Sequence, residues 1–264
     1  MLLAVCAWVA LAAVANATPT GLDYVFFTGL GTGSTLLDRI ANASFQGKSG
    51  EGLQTLKQEF DTDFASQHVM GRVFSWDKQA DAGAFVGTLN RTDALVIVGH
   101  SFGGDSALQF AKEFIPSRNI DLLATIDAAC VSCPGGTIKP TNVLHEVEFY
   151  HTPNSGDGSL VPPFLERLNN PDQSINVTTL FNQDNNHGCL VDVGGTVTHT
   201  NISNSACVHQ IIRGESLSLF QNNGLRDVTT FLSSPEPVPE PSSYILFGSG
   251  VLALASRKLF SVGK

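Results

Sequence analysis

The stretch Ala94–Ala111 reads ALVIVGHSFGGDSALQFA, and it constrains the fold more than any other part of the chain. Ala94–Val98 is a continuous apolar run, the pattern of a strand buried on both faces. Asp105–Phe114 carries Ala107, Leu108, Phe110, Ala111 and Phe114 at helical spacing. Between the two, Gly99-His100-Ser101-Phe102-Gly103 matches G-x-S-x-G. Three small, common residues match by chance often enough that the motif alone decides nothing. Its setting is what counts: a buried strand turning at once into a helix presents the serine at the helix N-terminus, where negative charge is favoured. An inert serine in a glycine-rich turn is the competing reading.

The same alternation continues along the chain. Strands are expected at Tyr24–Thr28, Val69–Trp76, Ala94–Val98, Ile120–Ile126, Val143–Tyr150 and Ile175–Phe181. Helices are expected at Ser34–Ala43, Gly52–Ala65, Asp77–Leu89, Asp105–Phe114 and about Ala206–Phe220. The fold class is therefore α/β, a mostly parallel sheet with helices on both faces, whose function gathers beyond the carboxyl ends of the strands. Gly29-Leu30-Gly31 lacks the third glycine and the acidic partner of a dinucleotide site, and no cofactor is expected.

The two ends depart from globular composition. Residues 1–17, MLLAVCAWVALAAVANA, end in a small-x-small cleavage signature and read as a signal peptide, although no basic residue precedes the apolar run. Ser233–Ser243 is Pro-rich and reads as a linker. The apolar run Tyr244–Ala255 follows, then Arg257 and Lys258. Twelve residues fall short of the roughly 20 that span a bilayer. Pro239-Glu240-Pro241, apolar stretch and basic end together resemble the PEP-CTERM sorting tail of Gram-negative bacteria. That resemblance implies an exosortase-type sorting protease as partner, transient membrane association through the tail, and a location in the periplasm, on the outer surface or in the extracellular matrix. The expected division is thus 1–17 signal peptide, 18–234 α/β domain, and 235–264 linker and tail.

The segment 18–234 holds 12 Lys/Arg against 22 Asp/Glu, with no basic stripe, which argues against nucleic acid. Four of the five cysteines, Cys130, Cys133, Cys189 and Cys207, lie beyond the signal, an even number that suits disulfides in an exported protein. Three pairings are open, of which Cys130–Cys133 with Cys189–Cys207 is the most local. Zinc is the rival reading, but a single C-x-x-C gives it little support, and no metal is expected.

The order strand, G-x-G loop, helices, strand, helix, strand, GHSFGG, helix resembles an α/β-hydrolase of the lipase and esterase type over about Leu22–Gln221. The family's early antiparallel strands have no room here, so a minimal member without a large cap domain is implied. The resemblance implies a serine hydrolase of carboxylic esters, with a small ester or lipid as substrate. Acyl transfer to surface lipid or polysaccharide, and a non-catalytic surface protein, are the alternatives. Family members carry serine, acid and histidine in that chain order. Ser101 is then the nucleophile. Asp127, at the end of LLATI, is the expected acid, with Asp157 one strand later as the alternate. His199, just before the last helix, is the expected base, with His187 as rival, while His68, His100, His145 and His151 come too early in the chain. The backbone N–H groups of Leu30 and Phe102 are the expected oxyanion hole. Ser159–Leu168 reads as a sheet-covering helix or a lid.

Overall fold

The computed structural model describes residues 19–31, 50–130, 135–157, 165–179 and 196–220. Six strands form one sheet: β1 (Gly21–Thr28), β2 (His68–Ser75), β3 (Ala94–His100), β4 (Ile120–Ile126), β5 (Val143–Tyr150) and β6 (Gln173–Asn176). Their spatial order is β2-β1-β3-β4-β5-β6, and every pairing is parallel. The helices are α1 (Glu51–Asp63), α2 (Gln79–Val86), α3 (Phe102–Gln109) and α4 (Ala206–Ser218). No large cap domain stands over the sheet among the described residues.

Strands β1 and β3 are buried along their whole length, as their apolar runs require. Alternate side chains of β1 serve opposite faces. Tyr24 and Phe26 meet Phe60 of α1, each with ring centroids 5.3 Å apart. Val25 and Phe27 join Leu95 and Ile97 in a second core formed with α2 and α3, where Phe27 lies 5.2 Å from Phe110. Helix α4 packs beside α1, through Phe64 on Phe220 and an ion pair from His209 to Glu59. Helices thus cover both faces.

Two elements differ from expectation. The last strand runs over Gln173–Asn176 rather than Ile175–Phe181, because the chain turns helical at Val177. The Asn176 side-chain oxygen accepts the N–H groups of Thr178 and Thr179 at 3.0 and 3.3 Å, so it offers the backbone a partner that ends the ladder. Helix α3 starts at Phe102, three residues early, and its last turn widens into a π-turn over Phe110–Phe114. The buried Asn142 amide donates to the carbonyls of Ala111, Ile115 and Arg118, satisfying groups that this wide ending leaves open. The expected helix at Ser34–Ala43 and the two chain ends lie outside the described residues. Of Ser159–Leu168 only Leu165 onward is described, and Leu165 forms an isolated bridge with Ala129 rather than part of a helix.

Strand β5 sends Glu146 and Glu148 to the same face, and both are buried. Glu148 is fully used: it takes two N–H groups of Arg167 at 2.9 Å each, the N–H of Leu168 and the hydroxyl of Ser174. Glu146 is 0 % exposed, and among the described residues neither of its oxygens has a hydrogen-bond partner. Burial pushes its carboxyl up to about 7, with Asp172 and Glu148 adding repulsion and Lys139 opposing it. Between the ordinary value of 4.5 and about 7 the folded state holds a proton that the unfolded state has lost, so this group makes stability fall as pH rises through that window. Glu146→Gln should therefore stabilise the fold by roughly 1–3 kcal/mol at pH 8 and by almost nothing near pH 4.5. Urea melts at the two pH values check this.

Candidate active site

The end of β3 is forced into a tight turn, and two glycines make the turn possible. A Cβ on Gly99 would lie 2.1 Å from the Gly103 carbonyl oxygen, and one on Gly103 would lie 2.0 Å from that of Phe27. Both contacts are backbone, so no side chain could yield. Ser101 itself sits at φ 58°, ψ −129°, a region that L-residues rarely occupy, and the strain costs of order 1–3 kcal/mol. Backbone bonds hold it there. Its N–H donates to Ile126 at 3.0 Å, and its carbonyl accepts from Gly104 at 2.8 Å and Ala129 at 3.0 Å. The Ser101 turn is thereby stitched to the end of β4.

Asp127 is the next residue beyond β4, also at positive φ (49°), with its N–H on the Phe149 carbonyl at 2.7 Å. His199 lies in a turn closed by Asn201 and Ile202 N–H groups on the Thr198 carbonyl. The Asn201 side chain accepts the Thr198 N–H at 2.7 Å and donates to Thr196 at 2.8 Å. These elements bring three side chains into line. The His199 Nε2 lies 2.7 Å from the Ser101 Oγ, and its Nδ1 lies 2.6 Å from Asp127 Oδ2. A carboxylate can only accept, so Nδ1 carries the proton and Nε2 is left free to accept from the serine. All three residues are buried, at 4, 3 and 5 % exposure for Ser101, Asp127 and His199. Asp127 is held well below the usual carboxylate range. Burial opposes this, but hydrogen bonds and charge from His151 and His199 outweigh it. The arrangement can polarise a hydroxyl, take its proton and balance the resulting imidazolium.

Asp157, the alternate acid, meets His199 through the backbone instead: its Oδ1 accepts the His199 N–H at 2.8 Å. Phe102 is the residue after Ser101, and Leu30 follows Gly29, the residue that comes close to the serine. A Cβ on Gly29 would come within 2.6 Å of the Ser101 Cβ. His187, Cys133 and Cys189 lie outside the described residues.

Two histidines passed over in the sequence reading belong to this constellation. His100 Nε2 donates to the His199 carbonyl at 2.8 Å, and its ring lies 5.2 Å from the His199 ring, tilted by 32°. His151 sits between two carboxylates, with Nδ1 2.7 Å from Asp127 Oδ2 and Nε2 2.9 Å from Asp157 Oδ2. Chain order argues against either as the base. A signal for His151 was nonetheless present. Strands β4 and β5 pair in parallel with Ile126 opposite Phe149, so the residues just past their ends fall side by side.

Among the described residues one group could approach a metal: Asp105, Cys130 and Glu166 bring possible ligand atoms within 4.8 Å of one another. Burial raises Asp105 to about 6 and Glu166 to about 7, so both hold a proton to higher pH than ordinary carboxylates, which weakens them as cation ligands.

Comparison with known proteins bears on the tail. Residues 237–258 match the PEP-CTERM protein-sorting motif. The protein is therefore of the exported kind that exosortase-type machinery sorts to the envelope of Gram-negative bacteria. A search of curated proteins finds no match. Among the described residues, no helix is long and apolar enough to cross a membrane.

The strain at Ser101 has a measurable sign. With the hydroxyl removed in both variants, Ser101→Gly should be more stable than Ser101→Ala by roughly 1 kcal/mol, the reverse of their order inside an ordinary helix. Paired thermal melts would show it, and alanine above glycine would contradict strain at this residue.

Proposed function

We propose that the protein is an exported serine hydrolase that cleaves carboxylic esters through an acyl-enzyme on Ser101. The observation that carries this reading is the hydrogen-bonded chain from Ser101 Oγ through His199 to Asp127, at 2.7 and 2.6 Å, beside a helix N-terminus. The resemblance to lipases and esterases points the same way. In this mechanism His199 Nε2 takes the hydroxyl proton as Oγ attacks the ester carbonyl. Asp127 holds the correct tautomer and stabilises the imidazolium. The N–H groups of Leu30 and Phe102 receive the developing oxyanion. His199 then returns the proton to the leaving alkoxide, and a water molecule activated by the same histidine releases the acid. The burial of the three residues strengthens each charge interaction along the chain.

Disulfides form part of the same reading. Cys130 and Cys207 are buried, and their oxidation to disulfides would suit an exported enzyme and leave no thiolate at the Asp105–Glu166 pair. A Cys189–Cys207 pairing, the most local one for Cys207, would tie α4 to a position on the other side of His199 in the sequence. The sorting tail would keep the enzyme at the membrane until it is cut.

A second reading, acyl transfer to a hydroxylated acceptor, is favoured by one observation. A groove of about 740 Å³ opens beside Thr28, next to the Gly29 loop, and is lined by Glu51, Gln54, Thr55 and Gln58, side chains suited to hydroxyl groups. Product analysis with and without an alcohol or glycan acceptor separates transfer from hydrolysis.

An active-site-directed fluorophosphonate should label the wild type and not Ser101→Ala. The same substitution should lower kcat/KM on short-chain esters by at least about 10³-fold. Equal labelling of the two proteins would overturn the proposal.

A further inference from the structure

His151 is unlike the other histidines of the site because both of its ring nitrogens face carboxylates. It is 2 % exposed, with Nδ1 at 2.7 Å from Asp127 Oδ2 and Nε2 at 2.9 Å from Asp157 Oδ2. Its backbone N–H also points at Asp127, reaching Oδ1 at 3.3 Å. Asp157 is fixed in turn by the Asn154 N–H at 2.7 Å on Oδ2 and by the His199 N–H at 2.8 Å on Oδ1. A closed ring results: the His199 imidazole to Asp127, Asp127 to His151, His151 to Asp157, and Asp157 back to the His199 backbone. We propose that His151 is a positioning residue for His199, an imidazolium that bridges Asp127 and Asp157 and so fixes where the His199 ring stands. The proposal rests on the hydrolase reading for its consequence and on the ring of contacts for its chemistry.

Charge supports it. Two ionised aspartates around a neutral His151 would leave two buried negative charges facing one another's partners, and uncompensated buried charge is costly. A protonated His151 donates from Nε2 to Asp157, sets the positive Nδ1 edge of its ring 2.7 Å from Asp127 Oδ2 as an ion pair, and brings this part of the site to a net charge of −1. When His199 takes the serine proton, the four groups then sum to zero, so the cluster is balanced at the moment the reaction demands it. Among the described residues, the charged groups facing His151 are Asp127 and Asp157. Burial works against its protonation, and the two carboxylates outweigh burial, so it holds its proton above the ordinary 6.5.

Proton and nitrogen NMR on the histidine-labelled wild type tests the imidazolium directly. His151 should be doubly protonated at pH 7.5, and a neutral ring at that pH would overturn the proposal whether or not the protein hydrolyses esters. Two variants test the positioning. His151→Gln removes the charge, and Asp157→Asn keeps an acceptor for Nε2, so the second serves if the first fails to fold. In either variant kcat on a short ester should fall about tenfold, while KM stays within about twofold. With the neighbouring positive charge lost or its counter-ion removed, the acidic limb of the kcat/KM profile should also move: upward in pH for His151→Gln and downward, or not at all, for Asp157→Asn. Folded variants with wild-type kcat and an unmoved His151→Gln limb would overturn the positioning role. A wild type that fluorophosphonate leaves unlabelled would instead overturn the hydrolase reading.

Discussion

All six strands run in one direction, so their carboxyl ends share one edge of the sheet, and the site is assembled from what lies just past that edge. Ser101 follows β3, Asp127 follows β4 and His151 follows β5, each as the first residue past its strand. The parallel ladder sets the spacing between them. The bonds from Ser101 N–H to Ile126 and from Asp127 N–H to Phe149 extend that ladder one step beyond the strands. His199 alone comes from elsewhere, and it is captured by side chains and backbone from this edge.

Backbone strain accompanies the arrangement. Ser101 and Asp127 both sit at positive φ without being glycine. Unfavourable dihedrals at two adjacent strand ends persist because the ladder bonds and the packing of Gly99 and Gly103 leave the chain no other path. Strain, burial and a crowded set of charges fall together at one place, while the aromatic cores on the two faces of the sheet supply the stability that tolerates them. Glu146 is a second local cost, on β5 itself and outside the ring of histidine and aspartate contacts.

Much of this was readable from the amino acids. The apolar runs of β1 and β3 announce burial on both faces, and GHSFG between a strand and a helix announces the turn. What escaped the reading were contacts between segments distant in the chain. Around FYHTPN the signal for His151 is weak: Asp157 follows six positions on, but Asp127 lies 24 positions earlier and meets the histidine only through strand pairing. The alternation in LHEVEFY suggests a solvated glutamate face, yet that face is covered and Arg167 satisfies only Glu148. Asn176 shows the local version of the problem: one side chain that bonds its own following turn cuts short a run with good strand propensity.

The peptide of His199 is gripped from three directions: its carbonyl by His100, its N–H by Asp157, and the preceding Val197 carbonyl by Asn154 at 2.7 Å. Those anchors belong to the sheet edge rather than to the segment that leads up to the histidine. The place of the imidazole beside Ser101 and Asp127 therefore depends on the end of β3 and the loop after β5 as much as on its own turn, so a shift of either would be passed to the ring through the backbone of His199.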